Sequence, residues 1–206
     1  MQSVSNKIHK RIRGSGRGSV FTNKDFLDLG SRASVDVALA SLARDGTLRR
    51  VTRGIYDYPR TSELLGGVLS PDLDKVAKAA ARKSGARIQP SGAWAANMLG
   101  LSTQVPARIV YQTDSRIRDV RVDRTVIQFH RSEKLLPGSE ITVLLICALR
   151  HLGKNRARDA DLEWLRGRLS PKDRRTILRE ARYAEGWVYE TLRRLCRPEE
   201  EEKDSG

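Results

Sequence analysis

An α+β fold is predicted for this chain of 206 residues, and three observations predict it. Apolar residues recur at helical spacing in its first quarter and lead into a short strand pair. β-Branched, extended stretches separated by polar turns occupy the middle. Four segments of helical pattern fill the end.

The elements follow in order. Val4, Ile8 and Ile12 recur every four residues, one face of a first helix, and the glycine-rich run Gly14 to Ser19 (GSGRGS) ends it. Val20 and Phe21 make a short extended piece. Thr22 then caps a second short helix, Asn23 to Leu27, closed by Gly30. Ser31 or Ser34 opens a third, in which Val35, Ala38, Leu39 and Leu42 share a face and which Gly46 stops. Leu48 to Thr52 and Ile55 to Tyr58 flank Arg53-Gly54, a pair suited to a tight hairpin turn. Helix, strand, helix, helix, hairpin is the order of a winged helix-turn-helix. Beyond Pro59, Leu73 to Lys83 reads as a helix and Pro90 starts another that runs to about Leu99. Ala107 to Gln112, Val120 to Val122 and Thr125 to His130 read as strands of a small sheet, with Asp114 to Asp119 as a polar turn. Glu140 to Leu152, Asp159 to Leu169, Pro171 to Tyr183 and Gly186 to Leu195 read as helices. The expected organisation is therefore a winged helix-turn-helix over residues 1–60, a mixed α/β domain with a small sheet and a helical C-terminal part over 61–197, and an acidic disordered tail over 198–206.

The formal net charge of +14 points to a polyanionic partner, because displacing counterions condensed on phosphates is favourable whatever the base sequence. The charge is uneven. Residues 1–60 carry 12 Lys and Arg against five Asp and Glu, half the net excess in under a third of the chain. The longest apolar run, Ile141 to Leu149, is far shorter than the roughly 20 residues that span a bilayer, so no membrane role is expected. No apolar stretch of signal-peptide length follows the basic N-terminus, so a cytoplasmic location is expected. Cys147 and Cys196 have no metal-type spacing and read as packing residues.

In a helix-turn-helix the second helix of the pair enters the major groove with its leading residues near base edges. If Val35, Leu39 and Leu42 face the core, then Arg32, Ser34, Asp36, Ser41 and Arg44 face outwards. Arg32 is the first candidate for base contact, since its planar fork matches the acceptors of guanine, and Ser34 the second. Asp36 can accept from cytosine or orient a neighbouring arginine. Lys24 precedes this helix, and the hairpin adds Arg49, Arg50 and Arg53, placed to grip backbone or minor groove. Such arginines can also be a solvated edge that blocks strand-to-strand aggregation, but the helices before them favour DNA. Lys7, Lys10, Arg11, Arg13 and Arg17 read equally well as phosphate contacts or as a solvated face.

An enzyme needs grouped reactive residues, and GxSxG, HExxH, GxxxxGK[ST] and the kinase motifs are all missing. His9, His130 and His151 lie in three separate elements, and Trp94, Trp164 and Trp187 each sit in an apolar helical context that reads as core. No catalytic residue, cofactor or metal is expected.

Val20 to Pro59 resembles the N-terminal module of AbiE-type antitoxins (AbiEi), through Asp25-Phe26, Val35, Ala38-Leu39, Leu42, Gly46, Arg50, Arg53-Gly54, Ile55-Tyr56 and Pro59. The likeness extends through Pro90 to Asp114 and Val126 to His130. It implies an antitoxin whose winged helix binds inverted repeats in the operator of its own operon as a repressor, as a homodimer or as cooperative monomers. Its C-terminal domain would counteract a nucleotidyltransferase-like toxin encoded beside it. The type IV toxin-antitoxin scheme associated with the family does not require the two proteins to touch, so direct contact stays open. Two other readings stand beside this one: a winged-helix transcription factor with a ligand-sensing C-terminal domain, and an antitoxin that modifies its toxin covalently.

Overall fold

The computed structural model of the protein describes residues 3–64, 66–104, 106 and 108–197. The expected acidic tail over 198–206 lies outside the described residues. In chain order the elements are α1 (Val4–Ser15), β1 (Val20–Thr22), a 3₁₀ turn (Asn23–Phe26), α2 (Arg32–Arg44), β2 (Arg49–Thr52), β3 (Ile55–Asp57), β4 (Thr61–Ser62), β5 (Gly67–Val68) and α3 (Leu73–Ser84). There follow β6 (Ile88–Pro90), α4 (Gly92–Met98), β7 (Ile109–Thr113), β8 (Val120–Val122), β9 (Thr125–Arg131), α5 (Glu140–Leu152), α6 (Asp159–Arg166), α7 (Pro171–Ala181) and α8 (Gly186–Cys196). The protein is α+β, with many helices and small sheets.

The chain divides into two compact units, Met1–Ile88 with Thr113–Glu133, and Gln89–Gln112 with Lys134–Gly206. The segment 1–60 lies wholly within the first unit, which also takes in α3 and the β8–β9 hairpin. The reason is visible in the packing: Arg82 on α3 donates to the Val20 carbonyl at 3.0 Å and pairs with Asp25, and Lys75 donates to the Gly18 carbonyl at 3.1 Å.

The core of the first unit starts from α1, whose Ile8 and Ile12 are fully buried beside Phe26, Val35, Leu39 and Leu48. Ser3 and Ser31 cap α1 and α2, each accepting from a backbone amide in the first turn. The second predicted helix is the single 3₁₀ turn, held by the Asp25 carboxylate accepting from the Thr22 amide at 2.7 Å. Strand β3 pairs antiparallel with both β1 and β2. In the β2–β3 ladder the register slips between Arg50 and Thr52, a bulge just before the Arg53-Gly54 turn. Gly54 takes φ of +73°, which is strained for any residue carrying a Cβ. The β4–β5 pair over 61–68 has no counterpart in the sequence reading; its strands are two residues each, below what periodicity can detect.

The second unit is built around α5, which buries Thr142, Val143 and every residue from Leu145 to Leu149, so the apolar run becomes a central helix. α7 and α8 add Ile177, Ala181, Val188, Leu192 and Leu195 to this core. α4 packs so closely on α5 that a Cβ at Gly92 would lie 2.6 Å from the Cβ of His151. That helix starts at Gly92 rather than at Pro90, because Pro90 ends β6 and Ser91 caps the helix. Arg166, itself buried, donates to the Arg194 and Leu195 carbonyls that the end of α8 leaves open. Trp94 is half-buried and donates to the Tyr111 hydroxyl at 2.8 Å, and Trp187 packs at the edge of the core. Trp164 is 43% exposed, with the Arg168 guanidinium stacked over its ring, so its expected place in the core is corrected. Among the described residues, no helix is long and apolar enough to cross a membrane.

Candidate nucleic-acid interface

Helix α2 positions most of the predicted contacts. Its buried face (Val35, Ala38, Leu39, Leu42) locks it onto α1 and fixes which side chains point away. Arg32, Asp36 and the 68%-exposed Val37 lie on the open face near the leading end. Arg32 and Asp36 sit one turn apart, Nε to Oδ2 at 3.7 Å, while the second Asp36 oxygen accepts from the Asn23 amide at 3.0 Å. Asp36 thus lies between the Asn23 side chain and Arg32. Arg44 is exposed at the other end of α2, ~18 Å from Arg32 at 1.5 Å per residue, too far to meet the same base pair. Lys24 is exposed on the 3₁₀ turn.

Three of the expected contacts turn out to be less available. The Ser34 hydroxyl donates to the Ser31 carbonyl at 2.8 Å and lies against the Ser31 hydroxyl at 3.1 Å, so it belongs to the helix cap rather than to an open edge. Ser41 is half-buried on the flank of α2. Arg49 is the clearest correction. It sits directly across from Asp57 in the β2–β3 ladder, and its guanidinium reaches that 2%-exposed carboxylate at 2.5 Å and the Leu69 carbonyl at 2.8 Å. Burial pushes the Asp57 carboxyl up and the Arg49 guanidinium opposes that shift, so Arg49 serves an internal charge. The next residue, Arg50, is exposed, as the two-residue period of a strand requires. Among the basic residues of the N-terminal region, Arg11 forms a two-pronged pair with Asp28 at 2.7 Å, and Arg17 donates to the Pro59 carbonyl and stacks over Tyr58. Lys7, Lys10 and Arg13 are exposed.

Lys83, at the end of α3, was no candidate from sequence, and it ties the rest together. Its ammonium donates to the Arg53 backbone carbonyl, which anchors the hairpin turn to α3. Burial holds the Lys83 ammonium below the ordinary lysine range, and Arg53, Arg32 and Arg50 push it further the same way. Arg32 of α2 and Arg50 and Arg53 of the β2–β3 hairpin therefore all lie within electrostatic reach of Lys83 on α3. Arg50 and Arg53 form no ion pair among the described residues.

Beside them runs a groove of about 460 Å³ between the hairpin turn, α3 and the segment leading into β8, whose wall adds Arg116 and Arg118. The sequence marked 114–119 only as a polar turn. Its Arg-Ile-Arg alternation with Ile117 buried was the available signal, since period two sends both arginines to the same open side. No group of three or more His, Cys, Asp or Glu among the described residues could hold a metal ion.

The chain matches none of the curated proteins with which it was compared. Over residues 7–177 it matches the model of a family of unknown function, DUF6088. That span runs from within α1 through the cation cluster to within α7, and the chain belongs to the DUF6088 family.

Proposed function

We propose that the first unit acts as a winged helix-turn-helix that binds duplex DNA, with α2 in the major groove and the β2–β3 hairpin as the wing. The observation that carries the reading is the set of exposed arginines, Arg32 at the head of α2 and Arg50 and Arg53 on the hairpin, with Lys83 of α3 fastened to the Arg53 carbonyl. Like charges brought together cost folding free energy, and a polyanion laid across them turns that cost into affinity. Arg32 at the leading end of α2 supplies the base contact, with Asp36 orienting it. Arg50 and Arg53 supply backbone or minor-groove contacts that fix register without reading sequence.

At the level of the cell, the reading is an antitoxin of AbiE type that represses its own operon and counteracts a nucleotidyltransferase-like toxin encoded beside it. It acts in the cytoplasm, with two copies on an inverted repeat. Its support is the resemblance of Val20–Pro59 and Pro90–Asp114 to that family together with the cation cluster. Repression belongs to the first unit and neutralisation to the second. The test is R32A/R50A/R53A in cells carrying a reporter behind the chain's own promoter and, separately, an inducible copy of the neighbouring gene. Lost repression with growth rescue intact is the expected result; retained repression contradicts the DNA reading, and a neighbouring gene that is harmless when expressed contradicts the antitoxin reading.

A further inference from the structure

The groove lined by Thr52, Arg53, Lys83, Ser84, Arg116 and Arg118 begins at the hairpin and runs past the helix and wing surface onto Arg116 and Arg118, which the DNA reading does not use. We propose that it is a cleft for the phosphodiester backbone of duplex DNA, extending the footprint past the wing onto the segment before β8. The proposal rests on the reading of the first unit as a DNA-binding unit.

The argument begins with how the cleft is built. Arg116 and Arg118 flank Ile117, which is 9% exposed and anchors the segment, so the two guanidinium groups are presented from a fixed stretch of backbone. Neither forms an ion pair among the described residues. The single carboxylate on the lining, Asp119, accepts from the Phe129 amide at 3.1 Å and so serves the β8–β9 hairpin. The opposite wall holds Lys83, half-buried and already engaged with the Arg53 carbonyl, and Arg53 itself. Hydroxyls of Thr52 and Ser84 add donors suited to phosphate oxygens.

The ligand class follows from this arrangement. Four cations, Arg53 on the hairpin turn, Lys83 on α3, and Arg116 and Arg118 before β8, line the groove together with Ile55 and Ile117. A run of phosphates satisfies such an array, whereas a single small anion would leave most of it unpaired. The cleft adjoins the surface assigned to DNA through Arg53, which stands on the β2–β3 turn and also lines the groove. A strand passing the wing therefore enters the cleft without leaving positive potential.

The test is a salt titration of full-length protein on two duplexes of equal length, one from upstream of its own gene and one scrambled. Each phosphate neutralised contributes about 0.9 to the slope of log K against log salt. R116A/R118A should lower that slope by about 1 to 2 and weaken both duplexes by a common factor, leaving the preference between them unchanged. R116K/R118K should keep most of the slope. K172A/R175A, which removes the same charge from exposed positions on α7, should leave it unchanged. If the wild type prefers its upstream duplex and R116A/R118A has the wild-type slope, the cleft is wrong and the recognition surface stands. If R116A/R118A and R116K/R118K lose slope equally, the loss is one of folding or shape and the phosphate role is wrong. If the wild type binds neither duplex, the DNA reading falls and the cleft falls with it.

Discussion

Arg49 and Arg50 are adjacent on β2, and the pleat sends their side chains to opposite faces. Arg49→Ala strands the buried Asp57 carboxylate and should cost about 2 kcal/mol in urea unfolding, with DNA affinity of the folded fraction unchanged. The pH dependence has a definite sign. Burial raises Asp57, so the folded state favours its protonated form, and that preference is lost as pH rises through the raised value. Without Arg49 only the more distant Arg60 and Lys75 oppose the rise, and the stability gap to wild type should be widest at neutral pH and narrow as pH falls into the carboxylate range. Arg50→Ala should do the reverse: little change in stability and a weaker, sequence-independent grip on DNA. Arg32→Ala should weaken binding to the upstream fragment by about 1 to 3 kcal/mol and relax preference at one base pair. Lys83 has its ammonium lowered, so it sheds its proton at a lower pH than an ordinary lysine. DNA affinity should accordingly fall earlier on raising the pH in wild type than in K83R, whose guanidinium stays charged throughout; coincident profiles would remove Lys83 from the interface.

At the scale of elements, most helices and strands were legible because each carries its own signal. Val4, Ile8 and Ile12 mark α1, Ser31 caps α2, Pro171 opens α7, and the run Ile141 to Leu149 fixes α5. The losses have physical causes. The 3₁₀ turn and the β4–β5 pair are shorter than the periods used to find them. Pro90 offered a helix start, but Pro is equally at home at the end of β6, and Ser91 decided the matter. The exposed face of α2 was legible from its buried one, yet Ser34 went to the cap and Arg49 to Asp57, because a capping hydroxyl and a cross-strand partner are visible only once the chain is folded. Lys83 was invisible as a site residue for the same reason, lying 30 positions from Arg53, and Arg116 and Arg118 carried only the alternation around Ile117. The hairpin turn makes its own prediction. Gly54→Ala forces a Cβ into a left-handed residue with the Lys83 side chain 3.3 Å away and should cost about 1 kcal/mol in thermal unfolding. It should also loosen the hairpin, and on the DNA reading lower affinity for all duplexes alike.

At the scale of the molecule, residues 1–60 lean on α3. α3 buries Val76, Ala77 and Ala79 fully, and Arg82 and Lys75 hold β1 and its approach through backbone carbonyls. A fragment ending at residue 60 should therefore lack a cooperative thermal transition; a sharp transition in that fragment would show the added elements to be accessory. The net charge of +14 is uneven, and in the first unit Arg50, Arg53, Arg116 and Arg118 lie on the hairpin and along the adjoining groove. The central claim is that this surface reads duplex DNA. Its most direct test is a gel-shift titration of the full-length protein against its own upstream DNA and a scrambled duplex, at low and moderate salt. Preferential binding to the upstream fragment that survives moderate salt and is lost in R32A is the predicted result; equal binding to both duplexes that disappears with salt would reduce the positive surface to nonspecific attraction and contradict the account.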